Sequence, residues 1–571
     1  MVINPSEGAF RPSKTDPVVI LPIDPIVEPK NNLGTNLFRS TLILTSSSIL
    51  RIVIVFALQV LLATKFGAKL EMDSFLAATT LPTLIAAVLI EQLNMTLIPV
   101  IVEYKIKNGA SEASIVVSSF INLAFIILVF LTLIGIMGGD WLVRLTVPGF
   151  GDRSEALTLT TKLLRVIFPS IVFSGLAGLL TGVFYAERRF TLPSLASILN
   201  GLTTLLVTWW LADSLGIMSV AVGMLAGSMV QFGVLFPVLL KEKRYHLQLR
   251  YRHPGVAKIL RLATPLVLGA ILYKASPVVD RFIASGLPEG SISYLGYAFR
   301  IVSILLILVT QSIAVSFLPM MSERAVANDK EGLRKIVSLG TGVMTFILAP
   351  LITGLAIFGE PAIQLLFERG AFNHQATIGA TSAMLCYLGY LYAGAIGTIQ
   401  TYALFSLQDT STVVKVGVIG ILLEIVLAVV LSRVMGYNGL ALALSAVAAI
   451  NMALFAVILH KRIKGMDGNR IIFSQVKVWF SCLLMAGTSV GVNYFLPKAI
   501  GAAEERSAMW VVSVSVSATS GLACYLTLTW LLRCEEMVYL LRKVLSVVSI
   551  RKLPLPLWER GGVRGSEKEN Q

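Results

Sequence analysis

Hydrophobic residues along this chain are grouped in long runs, and short polar or charged segments separate one run from the next. Each run is about 20 residues long, the length that an α-helix needs to cross the hydrocarbon core of a bilayer. We predict about fourteen such spans, at residues 41–63, 74–98, 113–137, 163–184, 192–211, 217–240, 259–284, 291–319, 336–358, 378–405, 413–431, 440–459, 478–495 and 509–532. With 56% hydrophobic and 14% charged residues, the pattern predicts an all-α polytopic membrane protein.

The first twelve runs form two repeats in the same order. Residues 216–241, GIMSVAVGMLAGSMVQFGVLFPVLLK, are echoed 220 residues later by residues 436–461, GYNGLALALSAVAAINMALFAVILHK. The same offset relates LIPVIVEYKIKNG around Pro99 to FLPMMSERAVAND around Pro319. Parallel repeats of this kind occur in secondary transporters. We therefore predict two pseudo-symmetric six-helix lobes followed by two C-terminal helices.

The net charge of +15 is explained by membrane topology rather than by a nucleic-acid partner. An even number of spans places both termini on one side, and most Lys and Arg residues fall in the loops of that side. Two basic clusters lie between spans six and seven and between spans twelve and thirteen: Lys241, Lys243, Arg244, Arg250, Arg252, Lys258 and Arg261, then Lys461, Arg462, Lys464, Arg470 and Lys477. By the positive-inside rule, we predict a multi-pass protein of the cytoplasmic (inner) membrane with both termini cytoplasmic, and no nucleic-acid binding.

Five segments follow from the spans and the charges. They are a disordered cytoplasmic N-terminus at 1–37, a first lobe at 38–245, a second lobe at 246–465, two further spans within 466–533 and a largely disordered cytoplasmic tail at 534–571. The two end segments are polar and contain Pro and charged residues, a composition typical of disorder.

Residues typical of catalysis or metal binding are scattered along the chain. Cys386, Cys482, Cys524 and Cys534 form no CxxC pair, and the sequence contains no HExxH, GxSxG or GxxxxGK[ST] motif. An intramembrane transferase would need convergent nucleophiles, bases or metal ligands. We therefore predict that the protein is not an enzyme and has no resident cofactor.

Charged residues inside the spans are the candidates for function, because a charge near the bilayer centre costs about 2.5–3.5 kcal/mol even on insertion scales. They are Arg51 in span one, Glu91 in span two, Lys274 and Asp280 in span seven, and Arg300 in span eight. The three cations lie in repeat-related spans and predict an electropositive cavity between the lobes. Such a cavity suits an anionic substrate, since a guanidinium group matches phosphate oxygens. Helix packing or snorkelling to the interface remains the alternative role.

Several motifs, each modest alone, occur in an order and spacing known from one transporter family. They are KFGAKLEMDSFLAATTLP at 65–82, LLRVIFPSIVFSGLAGLLTGVFYAERRFTLPSLASILN at 163–200, VVDRFIASGLPEGSISYLGYAFR at 278–300, LLFERGAFN at 365–373 and ALFSLQDT at 403–410. Over roughly residues 38–533 the chain resembles the MurJ/MviN lipid II flippases of the multidrug/oligosaccharidyl-lipid/polysaccharide exporter superfamily.

The resemblance implies a V-shaped pair of lobes, with spans thirteen and fourteen forming a groove for a lipid tail. It implies a flippase that moves an undecaprenyl-pyrophosphate-linked glycan precursor across the membrane by alternating access, for peptidoglycan or related envelope synthesis. Arg300 falls on the family's conserved arginine. With it, the predicted substrate-binding residues are Arg51, Asp73, Glu91 and Lys274.

The resemblance also implies ion coupling and partners. A sodium site has been linked to the second lobe of the family, and Asp280 and Asp409 are the acids near its motifs here. We expect coupling to sodium, protons or the membrane potential. The expected partners are the lipid-linked glycan, membrane lipids and cell-wall synthesis proteins.

The chain departs from the family pattern at several charged positions. Leu58 and Gln59 stand where an arginine and an acid are usual, Ala86 and Ala87 replace two arginines, and Ser303 replaces an acid. These losses leave three alternatives open. They are a flippase for another lipid-linked polysaccharide, a cation-coupled drug exporter of the same superfamily, and a scaffold that has lost transport.

Overall fold

The computed structural model describes residues 32–151, 153–241, 245, 247–248, 250–500 and 508–547. Throughout these residues the chain is helical, with no strand among them. The helices are α1 (Asn32–Phe66), α2 (Leu70–Lys107), α3 (Gly109–Met137), α4 (Gly139–Thr146), α5 (Ser154–Ile167), α6 (Ser170–Ala186), α7 (Thr191–Leu215), α8 (Met218–Lys241), α9 (Pro254–Tyr273), α10 (Ser276–Ala284), α11 (Ser291–Val326), α12 (Lys330–Phe367), α13 (His374–Ser406), α14 (Thr410–Met435), α15 (Tyr437–Arg462), α16 (Gly468–Ile500), α17 (Ala508–Leu531) and α18 (Glu535–Val547), with a 3-10 turn at Pro148–Phe150.

The predicted all-α membrane fold is confirmed, because the described residues contain 14 segments long and apolar enough to cross a membrane. Two of these spans consist of two helices each. One joins α5 and α6 as Ser154–Ala186, and the other joins α9 and α10 as Pro254–Ala284. Each break lies beside a proline, Pro169 or Pro277, whose missing N–H cannot continue the helical ladder. The second break places Lys274 at a point where the backbone leaves the helix.

The ends of the chain contain more helix than their composition indicates. Helix α1 begins at Asn32, so residues 32–37, predicted to be disordered, are helical. Helix α18 lies inside the predicted disordered tail, and its apolar side packs against α12. Composition averages the two faces of such an amphipathic helix and so hides it. The rest of the predicted disorder, at 1–31 and 548–571, lies outside the described residues.

The sequence repeat extends to individual backbone conformations. Gly216 and Gly436 follow α7 and α14 with φ angles of 55° and 58°. Arg188 and Gln408, which follow α6 and α13, both have a φ of 60°. A positive φ is uncommon for residues other than glycine. Its recurrence at equivalent positions shows that the two lobes share their turns as well as their helices.

Most helix contacts lie within one lobe or the other, and one helix of the second repeat packs on the first lobe. In the first lobe, α7 pairs with α8 and α1, and α6 packs between α2 and α8. In the second, α13 packs against α11, α12 and α15. Helix α9 opens the second repeat yet packs mainly against α2 of the first lobe. The α16–α17 pair lies on α12, with a small core of its own around Phe346 and Tyr525.

Candidate functional site

The two lobes are hydrogen-bonded to each other at one end of the molecule, which we call the closed end. The buried carboxylate of Asp73, in the first turn of α2, accepts hydrogen bonds from the backbone N–H groups of Gly290 and Ser293, both at 2.7 Å. It also accepts one from Ser293 Oγ at 2.5 Å. In return, Glu289 accepts a hydrogen bond of 2.8 Å from the backbone N–H of Leu70. Each lobe thus supplies a carboxylate to the free N–H groups at the start of the other lobe's helix.

Close backbone approach seals the closed end further. Ala371 N donates to Thr64 O at 2.9 Å, and the Tyr297 hydroxyl donates to Gly67 O at 3.0 Å. Gly67 has a φ of +63°, and a Cβ atom there would lie 2.3 Å from Ala371 O. Glycine is therefore required at this position. Three family-like motifs, at 65–82, 278–300 and 365–373, meet here.

A cavity of about 470 Å³ lies between the lobes. Its walls come from α2, the α9–α10 break, α11, α13, α14 and α15. The polar lining residues are Thr80, Thr83, Lys274, Ser276, Tyr390, Glu424 and Asn451. Ala87, one of the two alanines that the sequence resemblance places where arginines are usual, also lines the wall. A longer side chain at this position would project from the wall of the cavity.

Lys274 and Glu91, both predicted to contact substrate, are brought together in an ion pair across the lobe boundary. The Lys274 ammonium at the α9–α10 break donates to a carboxylate oxygen of Glu91 on α2. Their side chains are 28% and 49% exposed, so an incoming anion could reach both groups. Since Glu91 offsets Lys274, the cavity is less electropositive than the sequence indicated.

Neither of the two predicted arginines is among the residues that line this cavity. Arg300 is half-buried on α11, one residue after the cavity-lining Phe299, and Arg51 is exposed on α1. Within the described part of the chain, neither guanidinium has a carboxylate at ion-pair distance. Their predicted contact with substrate stays a prediction.

Asp280 and Asp409, the acids predicted for sodium, are not brought together. Asp280 is half-buried on α10, and its Oδ1 atom has no hydrogen-bond partner among the described residues. It lies near enough to Glu424 of α14 for the two carboxylates to repel each other. Asp409 caps the start of α14, about 20 Å along that helix from Glu424 at 1.5 Å per residue. Hydrogen bonds from Thr412 lower the pKa of Asp409, and its ion pair with Arg462, at 2.8 Å, lowers the pKa further. The carboxylate of Asp409 is thus already engaged.

Glu424 is the site residue that the sequence analysis missed. It is 4% exposed and accepts a hydrogen bond from Ser276 Oγ. The signal was present, since Glu424 is the one acid in the predicted span at 413–431 and lies near its middle. No cluster of three or more His, Cys, Asp or Glu side chains suited to a metal occurs among the residues described.

Comparison with known proteins gives the family. The family model described as "Lipid II flippase MurJ" matches residues 62–503. The chain belongs to the MurJ lipid II flippase family. A probable lipid II flippase MurJ of Vibrio cholerae is 27% identical over 467 residues, which cover 80% of this chain and 88% of that relative. The lipid II flippase MurJ of Burkholderia cenocepacia is 28% identical over 436 residues, covering 75% and 84% of the two chains.

Solved structures show the same fold. A lipid II flippase MurJ in an inward closed conformation aligns with a TM-score of 0.72 at 23% identity, covering 87% of this chain and 98% of that one. An inward-facing multidrug resistance MATE family transporter aligns with a TM-score of 0.64 at 14% identity, covering 72% and 94%. The MurJ family is one of membrane transporters rather than enzymes. The family resemblance noted in the sequence is therefore confirmed.

We predict that Asp73→Asn loosens the closed end, because the amide is neutral and offers one acceptor oxygen to three donors. A cysteine placed at Ser291, which is 1% exposed, should react with a water-soluble maleimide at least about tenfold faster, as expected for losing a hydrogen bond to a charged group. The measurement uses a cysteine-free background. Glu71→Gln, on an exposed residue of the same turn, is the matched control. An unchanged labelling rate in Asp73→Asn would show that the hydrogen bonds of Asp73 do not hold the lobes together.

Proposed function

We propose that this chain flips an undecaprenyl-pyrophosphate-linked glycan precursor, of the lipid II type, across the cytoplasmic membrane by alternating access, for peptidoglycan or related envelope synthesis. The observation that carries the proposal is a cavity between two repeat-related lobes, with charged, hydroxyl and amide groups set in a largely apolar wall, while hydrogen bonds hold the lobes together at one end. A charged, sugar-bearing head group cannot cross hydrocarbon unaided, because its polar groups would lose their hydrogen bonds with water. Lys274 and the hydroxyl and amide groups of the cavity supply replacements.

The pyrophosphate is held by Arg300 and Arg51, with Lys274 joining when it leaves Glu91. Arginine suits this task, since its planar fork can donate two parallel hydrogen bonds to a phosphate group. Within the part of the chain that the structure describes, neither arginine forms an ion pair with a carboxylate. Asp73 acts at the closed end, where its carboxylate holds the lobes together. Substrate binding then shifts the conformational equilibrium toward the state in which this end is open.

Ion coupling rests on Asp280 and Glu424 rather than on Asp409. Glu424 lines the cavity, and Asp280 on α10 is near enough to interact with it electrostatically. Carboxylate oxygens are ligands that hard cations prefer. We propose that sodium binds between them, with the Ser276 hydroxyl as a neighbour. The same acids favour a second candidate function, a cation-coupled exporter of the superfamily, in which Arg300 has no direct role.

The arginine variants test the substrate. Arg300→Ala should abolish transport at normal protein abundance, since the ligand loses its bidentate contact. Arg300→Lys should retain part, because an ammonium keeps the charge without the fork. Arg433→Ala, on an exposed arginine at the end of α14, should behave as the wild type. The measurements are rescue of a flippase-depleted bacterium and lipid II translocation in reconstituted vesicles.

The outcomes separate the alternatives. Wild-type activity in Arg300→Ala would remove the pyrophosphate mechanism and favour the exporter or the scaffold. A parallel loss of abundance and activity would make Arg300 a packing residue.

Because Ala87 lines the cavity, arginines at positions 86 and 87 should improve lipid II flipping if the cavity still accepts lipid II and has only lost contacts to it. No improvement would favour a different lipid-linked glycan.

The predicted topology follows from the positive-inside rule and can be tested by cysteine labelling. A cysteine at Gln248 should be protected from an impermeant reagent in intact cells, because the basic loop between spans six and seven is cytoplasmic. Cysteines at exposed positions of the segments at 139–160 and 359–377, which connect spans on the opposite side, should react from outside. External reactivity at Gln248 would reverse the orientation.

Sodium coupling is tested by removing its proposed ligands. Asp280→Asn and Glu424→Gln should each abolish the dependence of the initial transport rate on a sodium gradient. Asp409→Asn should leave it nearly unchanged, because that carboxylate is engaged by Thr412 and Arg462. Sodium dependence that persists in both cavity variants would remove this site from the mechanism.

A further inference from the structure

A second polar cavity, of about 170 Å³, lies far from the closed end. It is enclosed by the first part of α12, the start of α16 and the junction of α17 with α18. Its lining residues are Ser338, Leu339, Gly342, Arg470, Ile471, Phe473, Ser474, Lys477, Arg533, Cys534, Glu535 and Glu536. Spans thirteen and fourteen end beside it, at Arg470 and Leu531. The cavity therefore lies at a membrane boundary, outside the transport pathway.

Glu536 gives this cavity an unsatisfied acceptor. The side chain is 5% exposed, and its Oε1 atom accepts a hydrogen bond from Ser474 Oγ at 2.5 Å. Its Oε2 atom has no hydrogen-bond partner among the described residues. Gly342 makes room for the carboxylate, since a Cβ atom there would lie 2.4 Å from Oε1. A buried carboxylate oxygen without a donor is costly, so a cationic donor would be favoured at this place.

Lys477 places a positive charge and N–H donors on the same wall of the cavity. Its ammonium donates to Leu532 O at 3.0 Å and lies 4.7 Å from the centre of the Phe473 ring. An ammonium has three N–H donors, so others remain for a ligand. Arg470 adds positive charge nearby while pairing with Glu535. The cavity thus combines a place for an anion with a place for a donor cation.

We propose that this cavity binds the head group of a phospholipid that carries both a phosphate and a primary ammonium, as in phosphatidylethanolamine. The phosphate pairs with Lys477, and the ammonium donates to Glu536 Oε2. Basic pockets between membrane helices are known to hold lipid head groups. The volume equals that of about five or six water molecules, which suits a small head group and excludes a glycan.

The surroundings of the cavity suit the rest of such a lipid. On α16, Ile472, Phe473 and Val476 are exposed by 63%, 64% and 59%. These apolar side chains continue from the cavity onto the membrane-facing surface, where acyl chains would lie. A bound lipid would join α12, α16 and α18, and so tie the C-terminal helices to the second lobe.

Native mass spectrometry of the delipidated full-length protein tests the proposal, with three phospholipids of identical acyl chains. Phosphatidylethanolamine should bind at least about tenfold more tightly than phosphatidylcholine, whose quaternary ammonium cannot donate a hydrogen bond. Phosphatidylglycerol, which has no ammonium, should also bind more weakly. Glu536→Gln should bring phosphatidylethanolamine to the level of phosphatidylcholine. Lys477→Met should weaken all three.

Matched controls come from an ion pair on α12 that lies outside the lining of this cavity. Glu331 and Lys335, 2.7 Å apart and exposed, allow Glu331→Gln and Lys335→Met, which should leave lipid binding unchanged. If Glu536→Gln does not fold, as judged by its melting temperature without lipid, Gly342→Ala should still displace the carboxylate and reduce the preference for phosphatidylethanolamine.

Four results would overturn the proposal, three of which concern the preference among lipids. They are equal binding of phosphatidylethanolamine and phosphatidylcholine by the wild type, tightest binding of phosphatidylglycerol, and an unchanged preference in Glu536→Gln or Gly342→Ala. Unchanged binding in Lys477→Met would do the same. Because the readout is lipid binding and not flipping, failure here leaves the proposed transport function standing.

Discussion

The hydrogen bonds between the carboxylate of Asp73 and the first turn of α11 are the contact on which the arrangement of the lobes depends. A carboxylate is favoured at a helix N-terminus because free N–H groups and the helix dipole both point toward it. Helices α2 and α11 are repeat partners, so the pseudo-symmetry brings two equivalent helix starts together. Together with the close backbone approach at Gly67, these hydrogen bonds hold the two helix starts against each other.

The central cavity shows how charge is kept inside a membrane protein at tolerable cost. Lys274 is paired with Glu91, and Glu424 accepts a hydrogen bond from Ser276. Such pairing offsets the desolvation of each group. Because the Glu91–Lys274 pair is partly exposed, its desolvation costs less than that of a fully buried pair. A cavity lined with unpaired arginines would bind anions more strongly but would be harder to stabilise when empty.

The location of each substituted charged position shows which part of the structure the substitution affects. Ala87 lies in the cavity wall, so the loss of an arginine there changes the binding surface itself. Gln59 is buried among helices at 8% exposure, so its change from an acid affects packing. The glycine and aspartate of the 65–82 motif remain, and both serve the closed end. The family motif residues at the closed end are therefore retained more completely than those of the cavity wall.

The sequence determined the membrane class, the fourteen spans, the repeat and the family, because apolar length and periodic order are local properties of a chain. It also identified Glu91, Lys274 and Asp280 as costly charges. It could not show that Glu91 pairs with Lys274, that Asp73 serves the closed end, or that Asp409 lies far from Asp280. Glu536 and the helix α18 that carries it were hidden in a polar tail. These relations join residues tens to hundreds of positions apart, and only the packing of the helices decides which side chains meet.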